Sequence, residues 1–483
     1  MSIKLLQEKN YQKGSLLVLL LVYAGVFLAL LTAFVGSIFA QRQFIEQQFL
    51  SQNALHIAEA GLEYYKWFLA HNPGDITHGT GGSGPFTFSF SDPEGGDIGE
   101  YEIDVSGVEW CGEVGMIDIT STGRHFDGGR ERTVYGRYAR PSIAEYSFII
   151  NSNVWAGFNL DITGPYHSNG IIRMSATNNS IVTSQQDTWE CDDSVLTCDG
   201  AEDDGVTIST GDEIGGIYGE GPNRSLWTYP SPPINFTNIL VNLAEMENLA
   251  STQGGLVLPN SGTFGYRIFL NNNNTVTVRR VTGTVAHNEY SSEVGAWYTA
   301  RNIPSSLGPP TTYTLDSSCP VLFVRDKIWI SGEIDRKLTV AAADPSNPSF
   351  RPSVILQDNI TYNSSEAGLL LLGEEDVLLG VNVPNDMEVN GIFVAQNGKF
   401  GRNHYWSLPS GYASYRLRDS ITINGTVVSN GRVGTQWVNA SGDALSGFLD
   451  RVSDYDRDLV ENPPPLTPRT SDTYRFIEWR EIF

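Results

Sequence analysis

Apolar positions run without a break near the start of the chain and become periodic further on. From Ser15 to Ala40 no residue is charged. As a helix this run spans roughly 39 Å, against about 30 Å of bilayer hydrocarbon. Beyond it, Leu55, Ala58, Leu62, Tyr65 and Leu69 follow 3-4-3-4 spacing, one apolar stripe on an amphipathic helix. Asn72-Pro73-Gly74 stops the pattern. The spacing predicts one helix over 15–72, roughly 80 Å long. Its first half is apolar all round and its second half is amphipathic. A plain anchor has no need of that second half; a helix that carries a domain or packs into a bundle does. The apolar core is too long for a cleaved signal peptide, whose core is about 7–15 residues. Lys4, Lys9 and Lys13 precede it, so residues 1–14 stay in the cytoplasm and the remainder is exported. Gly25, Ala29, Ala33 and Ser37 recur every four residues, and small residues let helix backbones approach closely in lipid.

After a Gly-rich connection, FTFSFS, YEIDVSGVEW, GMIDITSTGR and RERTVYGRYAR alternate apolar and polar positions. That period of two predicts half-buried strands, arranged over 73–140 as an antiparallel meander on the helix stripe. Arg140-Pro141-Ser142 marks a boundary. Beyond it, short apolar strands alternate with Asn, Gly and Ser. VNGIFVAQNGKFG (Val389–Gly401) matches INGTVVSNGRVG (Ile423–Gly434), and YHSNGIIRM (Tyr166–Met174) is a weaker copy. The fold class expected is therefore mainly β with a long N-terminal α-helix. A β-helix or solenoid-like domain is expected over 141–460, with a β-sandwich of similar strands as the alternative. One helix is expected near 235–250, with Asn235 or Thr237 as its cap, and a hairpin around the Asn271–Asn274 run. Residues 461–483 read as a Pro-rich tail: Pro463–Pro465 favour an extended segment, and Trp479, Ile482 and Phe483 can cap an open solenoid end.

Composition narrows the function. The 483 residues carry a formal charge of −24, which argues against nucleic-acid binding because phosphate neutralisation needs clustered Lys and Arg. All four cysteines follow the apolar segment and can form two disulfides in any of three pairings. Cys191 and Cys198 bracket a short loop and are the favoured pair, leaving Cys111 and Cys319; four buried free thiols are the alternative. No H-E-x-x-H, P-loop or G-x-S-x-G motif occurs, and the seven histidines are scattered. The acidic stretch after Cys191 offers Asp192, Asp193, Asp199 and Asp203 as weak calcium candidates, without the ligand order of an EF-hand. A solvated acidic loop is the simpler reading, and no cofactor is required. Solenoids also host polysaccharide enzymes, and Trp155, Trp189, Trp227, Trp297 and Trp329 offer rings for sugars. Nothing in the sequence places two carboxylates together, so the expectation is a non-enzyme.

A short basic leader ending in Gly14, followed by an apolar helix that runs on into an amphipathic half, resembles type IV pilins and type II secretion pseudopilins. Ala58-Glu59-Ala60-Gly61-Leu62, with the later IDITSTGR and RERTVYGRY strands, is similar to the PilX-like minor pilins. The resemblance implies cleavage by a prepilin peptidase after Gly14 and methylation of Ser15. It also implies a single-pass membrane stage and then a place among other pilin subunits. Two positions depart from the family: Ser15 stands where Phe is usual, and Leu19 stands where an assembly-directing Glu is usual. The expectation is a minor subunit whose large exported head serves adhesion or subunit contact, with a surface glycan or other cell-surface ligand as partner. The alternative is an anchored β-helix surface protein acting on or binding polysaccharide.

Overall fold

The computed structural model describes residues 12–72, 75–82, 84–439, 441–471 and 473–482. The fold is mainly β with a long N-terminal helix. The chain divides into two units, one of residues 1–106, 118–136 and 479–483, the other of 107–117 and 137–478.

In the first unit the helix α1, Gln12–His71, is one unbroken element of 60 residues. Its stripe is buried at Ala54, Ile57, Ala58, Leu62, Tyr65 and Leu69, while Leu55 is half-buried. The stripe packs on an antiparallel sheet that includes β1 (Phe86–Ser91), β2 (Asp97–Trp110), β3 (Glu113–His125) and β4 (Arg132–Ala139) in that order. Glycine sets the approach distance. A Cβ at Gly123 would lie 2.2 Å from the Ala54 carbonyl oxygen and 2.4 Å from the Ala58 nitrogen. A Cβ at Gly61 would lie 2.2 Å from Ser121 Oγ. Glu481, at the far end of the sequence, pairs with Arg132, and the Arg480 guanidinium lies 4.8 Å from the Tyr135 ring centre. The end of the chain is thus a strand, Arg475–Ile482, and not only the extended tail that its prolines suggest.

The second unit is a large mixed sheet whose long-range pairing is mostly parallel. Three ladders run through it. In the first, Leu256, Leu322, Val340, Leu371, Phe393, Val427, Phe148, Tyr166, Val182 and Trp227 are successive register partners. In the second the succession is Tyr266, Ile328, Val354, Val377 and Phe400. In the third it is Ile360, Val389, Ile423, Ser453, Ile162 and Asn178. The apolar partners of all three ladders share one core.

The order of partners shows how the chain travels. Residues 148–228 lead away from the Val427 rung, and residues 256–429 approach it from the other side. Between these halves lie α2 (Phe236–Ile239) and α3 (Leu243–Thr252), where the sequence suggested one helix. The break follows from capping: Asn235 accepts from the Thr237 amide, and Asn242 accepts from the Glu245 amide to start a second helix. Both helices lie on the first ladder. Phe236, Ile239, Leu243, Met246 and Ala250 cluster with Ile149, Val321, Ala341, Leu370, Ile392 and Val428, the residues alternate to those facing the shared core. Both faces of these strands are buried, which is why VLFV, GLLLLG and GIFVA read as continuous apolar runs.

The two N-G copies stack in register, Asn390 on Asn424 and Gly391 on Gly425, with Asn424 Nδ2 donating to Asn390 Oδ1 at 2.7 Å. These glycines are not hairpin turns. They lie inside continuous strands, at φ +147° and +131°. A Cβ at Gly425 would lie 2.2 Å from the Gly391 carbonyl oxygen. The Asn-run hairpin does form, Tyr266–Asn271 against Thr275–Arg280, but its second strand continues to Ser291 and pairs onward with Ala296–Leu307.

Candidate functional site

Among the described residues, the first half of α1 carries the longest run of exposed large apolar side chains. Every large apolar side chain from Leu16 to Phe49 is exposed, including Leu19 at 58%. Burying one such side chain is worth about 1.5–3 kcal/mol, so the stretch forgoes tens of kcal/mol if left in water. It is long and apolar enough to cross a membrane by length and composition. Thr32 fits that setting, because its hydroxyl donates within the helix to the Leu28 and Ala29 carbonyls. Gly25, Ala29, Ala33 and Ser37 lie on this exposed stretch, and a Cβ at Gly25 would meet nothing within 4 Å. Gly14 and Ser15 lie in the first turns of the helix backbone, while residues 1–11 of the leader are outside the described residues.

Cys191 is bonded to Cys198 and Cys111 to Cys319. The four acidic side chains in and just after the short loop each have a partner of their own. Asp192 accepts from the Ser194 amide and hydroxyl, and Asp193 from the Cys198 amide. Asp199 accepts from the Thr210 amide, and Asp203 pairs with Arg224. The serine hydroxyl and amide hold the Asp192 carboxyl below its usual range. Each carboxylate is turned to a different partner, and no cluster of His, Cys, Asp and Glu that could hold a metal occurs among the described residues. Asp192 and Asp193 are engaged in local turn hydrogen bonds, as in a solvated acidic loop.

A second polar centre was not marked by any motif. Glu289 is fully buried in the long hairpin. Its carboxylate faces His287 Nε2 at 3.1 Å and accepts from Tyr298 Oη at 2.7 Å, Asn403 Nδ2 at 2.9 Å and Asn302 Nδ2 at 3.1 Å. Burial pulls the carboxyl up, but His287, Tyr298 and Asn403 together hold it below the usual range. The only sequence signal is the H-x-E spacing, which puts both side chains on one face of a strand. Closed to solvent, this centre braces the hairpin against residues 402–405. Elsewhere in the second unit an open groove of about 540 Å³ is lined by Arg140, Glu145, Leu240, Met246, Pro464 and Pro465, among others.

No family model and no curated protein matches the sequence. Among solved structures, the chain is similar to the crystal structure of competence-associated pilin ComZ from Thermus thermophilus. The TM-score is 0.28 at 12% identity, over 90% of this chain and 98% of that one.

Proposed function

We propose that the chain is a pilin-like subunit of a type IV pilus or a related filament. It is cleaved after Gly14, methylated at Ser15, and held in the membrane by α1 until assembly. The observation that carries this reading is the single 60-residue helix whose first half is exposed and apolar and whose second half is buried on an antiparallel sheet. One rigid element joins a lipid-compatible rod to a folded unit. Withdrawn from lipid, the same surface needs the helices of other subunits, and the small residues Gly25, Ala29, Ala33 and Ser37 suit close packing there. Leu19 brings no charge to that bundle, which favours a minor subunit of the PilX-like kind, at a tip or sparsely placed.

The second unit reads as a β-solenoid head. Three ladders of parallel rungs around one core support this over a sandwich, whose hairpins would pair antiparallel. The role assigned is structural and adhesive, not enzymatic, with other pilins, a prepilin peptidase and a surface ligand as partners. Sheared filaments from native cells should contain the chain, detected through residues 137–478. Confinement to the membrane fraction in filament-bearing cells would instead favour an anchored surface protein.

A further inference from the structure

Two tryptophans of the second unit are exposed among its described residues, Trp297 at 49% and Trp406 at 61%. They come from segments more than a hundred positions apart, yet both lie against the same side chain. The His404 ring centre is 5.2 Å from that of Trp297 and 6.5 Å from that of Trp406. Trp437 stacks on His404 at 5.5 Å, and Tyr290 touches both Trp297 and Trp437 at 5.8 and 5.5 Å. The five rings thus form one connected cluster, with the Trp297 and Trp406 indoles as its exposed members.

The face is held rigid from below. Tyr290 and His404 exchange two backbone hydrogen bonds of 3.0 Å, which fix the hairpin to the 402–406 segment. Trp437 Nε1 donates to the Arg402 carbonyl at 2.8 Å. Asn403, next in sequence to His404, donates to the buried Glu289 carboxylate. His404 is itself only 9% exposed, and its Nδ1 has no hydrogen-bond partner. Burial, with Arg416 nearby, lowers its pKa, so the ring is neutral at neutral pH. A polar border continues the face: Asn288 and Thr299 are exposed cross-strand partners, two residues from Tyr290 and Trp297 on the same side of the hairpin.

Exposed indoles on a rigid aromatic cluster with a polar border are suited to binding a ligand. The rest of the chemistry selects the ligand. A net charge of −24 repels anionic polymers at long range. A cationic ligand would meet like charge here, because the Lys399 ammonium lies 5.8 Å from the Trp437 ring centre and Arg416 is near His404. A pyranose suits both features, with an apolar C–H face for the indoles and hydroxyls for the border. The geometry points to a neutral glycan stacking on Trp297 and Trp406, with its hydroxyls on Asn288 and Thr299. This deepens the proposed head function and rests on it only for where the glycan is met; binding is measured independently of N-terminal processing, so either reading can fail alone.

The test uses the full chain in a detergent without a sugar headgroup. Gluco-, manno-, galacto- and chito-oligosaccharides are titrated by tryptophan fluorescence and calorimetry. Saturable binding to at least one is expected. Trp297→Ala and Trp406→Ala should each weaken it about tenfold or more. Trp297→Phe and Trp406→Phe should retain most of it, and Trp67→Ala, on α1, should leave it unchanged. Unaltered thermal midpoints would show that the variants fold. The proposal is overturned if no neutral glycan binds or if both alanine variants bind normally. It is also overturned if an acidic polysaccharide binds better, or if the variants instead abolish self-association, which would give the face to a second copy of the chain.

Discussion

The two disulfides make a matched pair for a quantitative test, because they close loops of very different length in the same unit. Cys111 and Cys319 are 208 positions apart, whereas Cys191 and Cys198 are 7 apart. Cross-linking removes loop-closure entropy from the unfolded chain, and the loss grows with the logarithm of loop length. That relation gives about 5 kcal/mol for the long loop and about 2.4 kcal/mol for the short one at 25 °C. Replacing both partners with Ala leaves little packing difference, since all four sulfurs belong to buried residues. Guanidinium unfolding of Cys111→Ala/Cys319→Ala should therefore show the larger fall in stability, by about 2–3 kcal/mol over Cys191→Ala/Cys198→Ala. Equal losses, or a larger loss from the short loop, would refute the reasoning.

Gly425→Ala places a Cβ 2.2 Å from the Gly391 carbonyl at φ +131° and should cost about 2–4 kcal/mol, whereas a Cβ at Gly434 meets nothing within 4 Å and Gly434→Ala should cost under about 1 kcal/mol. Urea midpoints of the two variants decide this. Gly123→Ala forces the Ala54–Ala58 turn of α1 away from the sheet. It should cost about 1–3 kcal/mol and speed amide exchange over residues 54–69. Burial pushes the Asp376 carboxyl up to about 6, against the pull of the Lys399 amide and ammonium, with Glu375 and Glu293 adding to the rise. Its folded form holds the proton more tightly than the unfolded form at 3.8, so this contribution is fully present below pH about 4 and is lost as pH rises through about 6. Asp376→Asn should remove roughly 2–3 kcal/mol of that pH-dependent fall, read from denaturation at pH 4 and 7.

Local patterns carried much of this fold and long-range order carried the rest. The helix was legible because an uncharged run and a 3-4 stripe both demand α geometry; only Leu55 was misplaced, since Ala54 and Ile57 sit nearer the centre of the buried face. The N-G copies announced themselves as repeats, and Asn390 does stack on Asn424, but the sequence cannot distinguish a glycine in a turn from one inside a continuous strand. Asn242 was a readable cap, an Asn three residues before Glu245, hidden by the apolar periodicity running across it. Nothing local reveals that Val427 is followed in its ladder by Phe148, or that Glu481 finds Arg132. The Glu289 centre showed only its H-x-E spacing and the aromatic cluster only Trp297 as a ring for sugars; the partners that complete each were hidden for the same reason. Their members are ordinary residues on separate segments, and only the folded hairpin brings them together.

Whether α1 is a processed handle for assembly is decided by the mass of the N-terminal peptide from native protein in the membrane fraction. The expected mature chain begins with N-methyl-Ser15. A chain retaining Met1 and the residues up to Gly14 would contradict it.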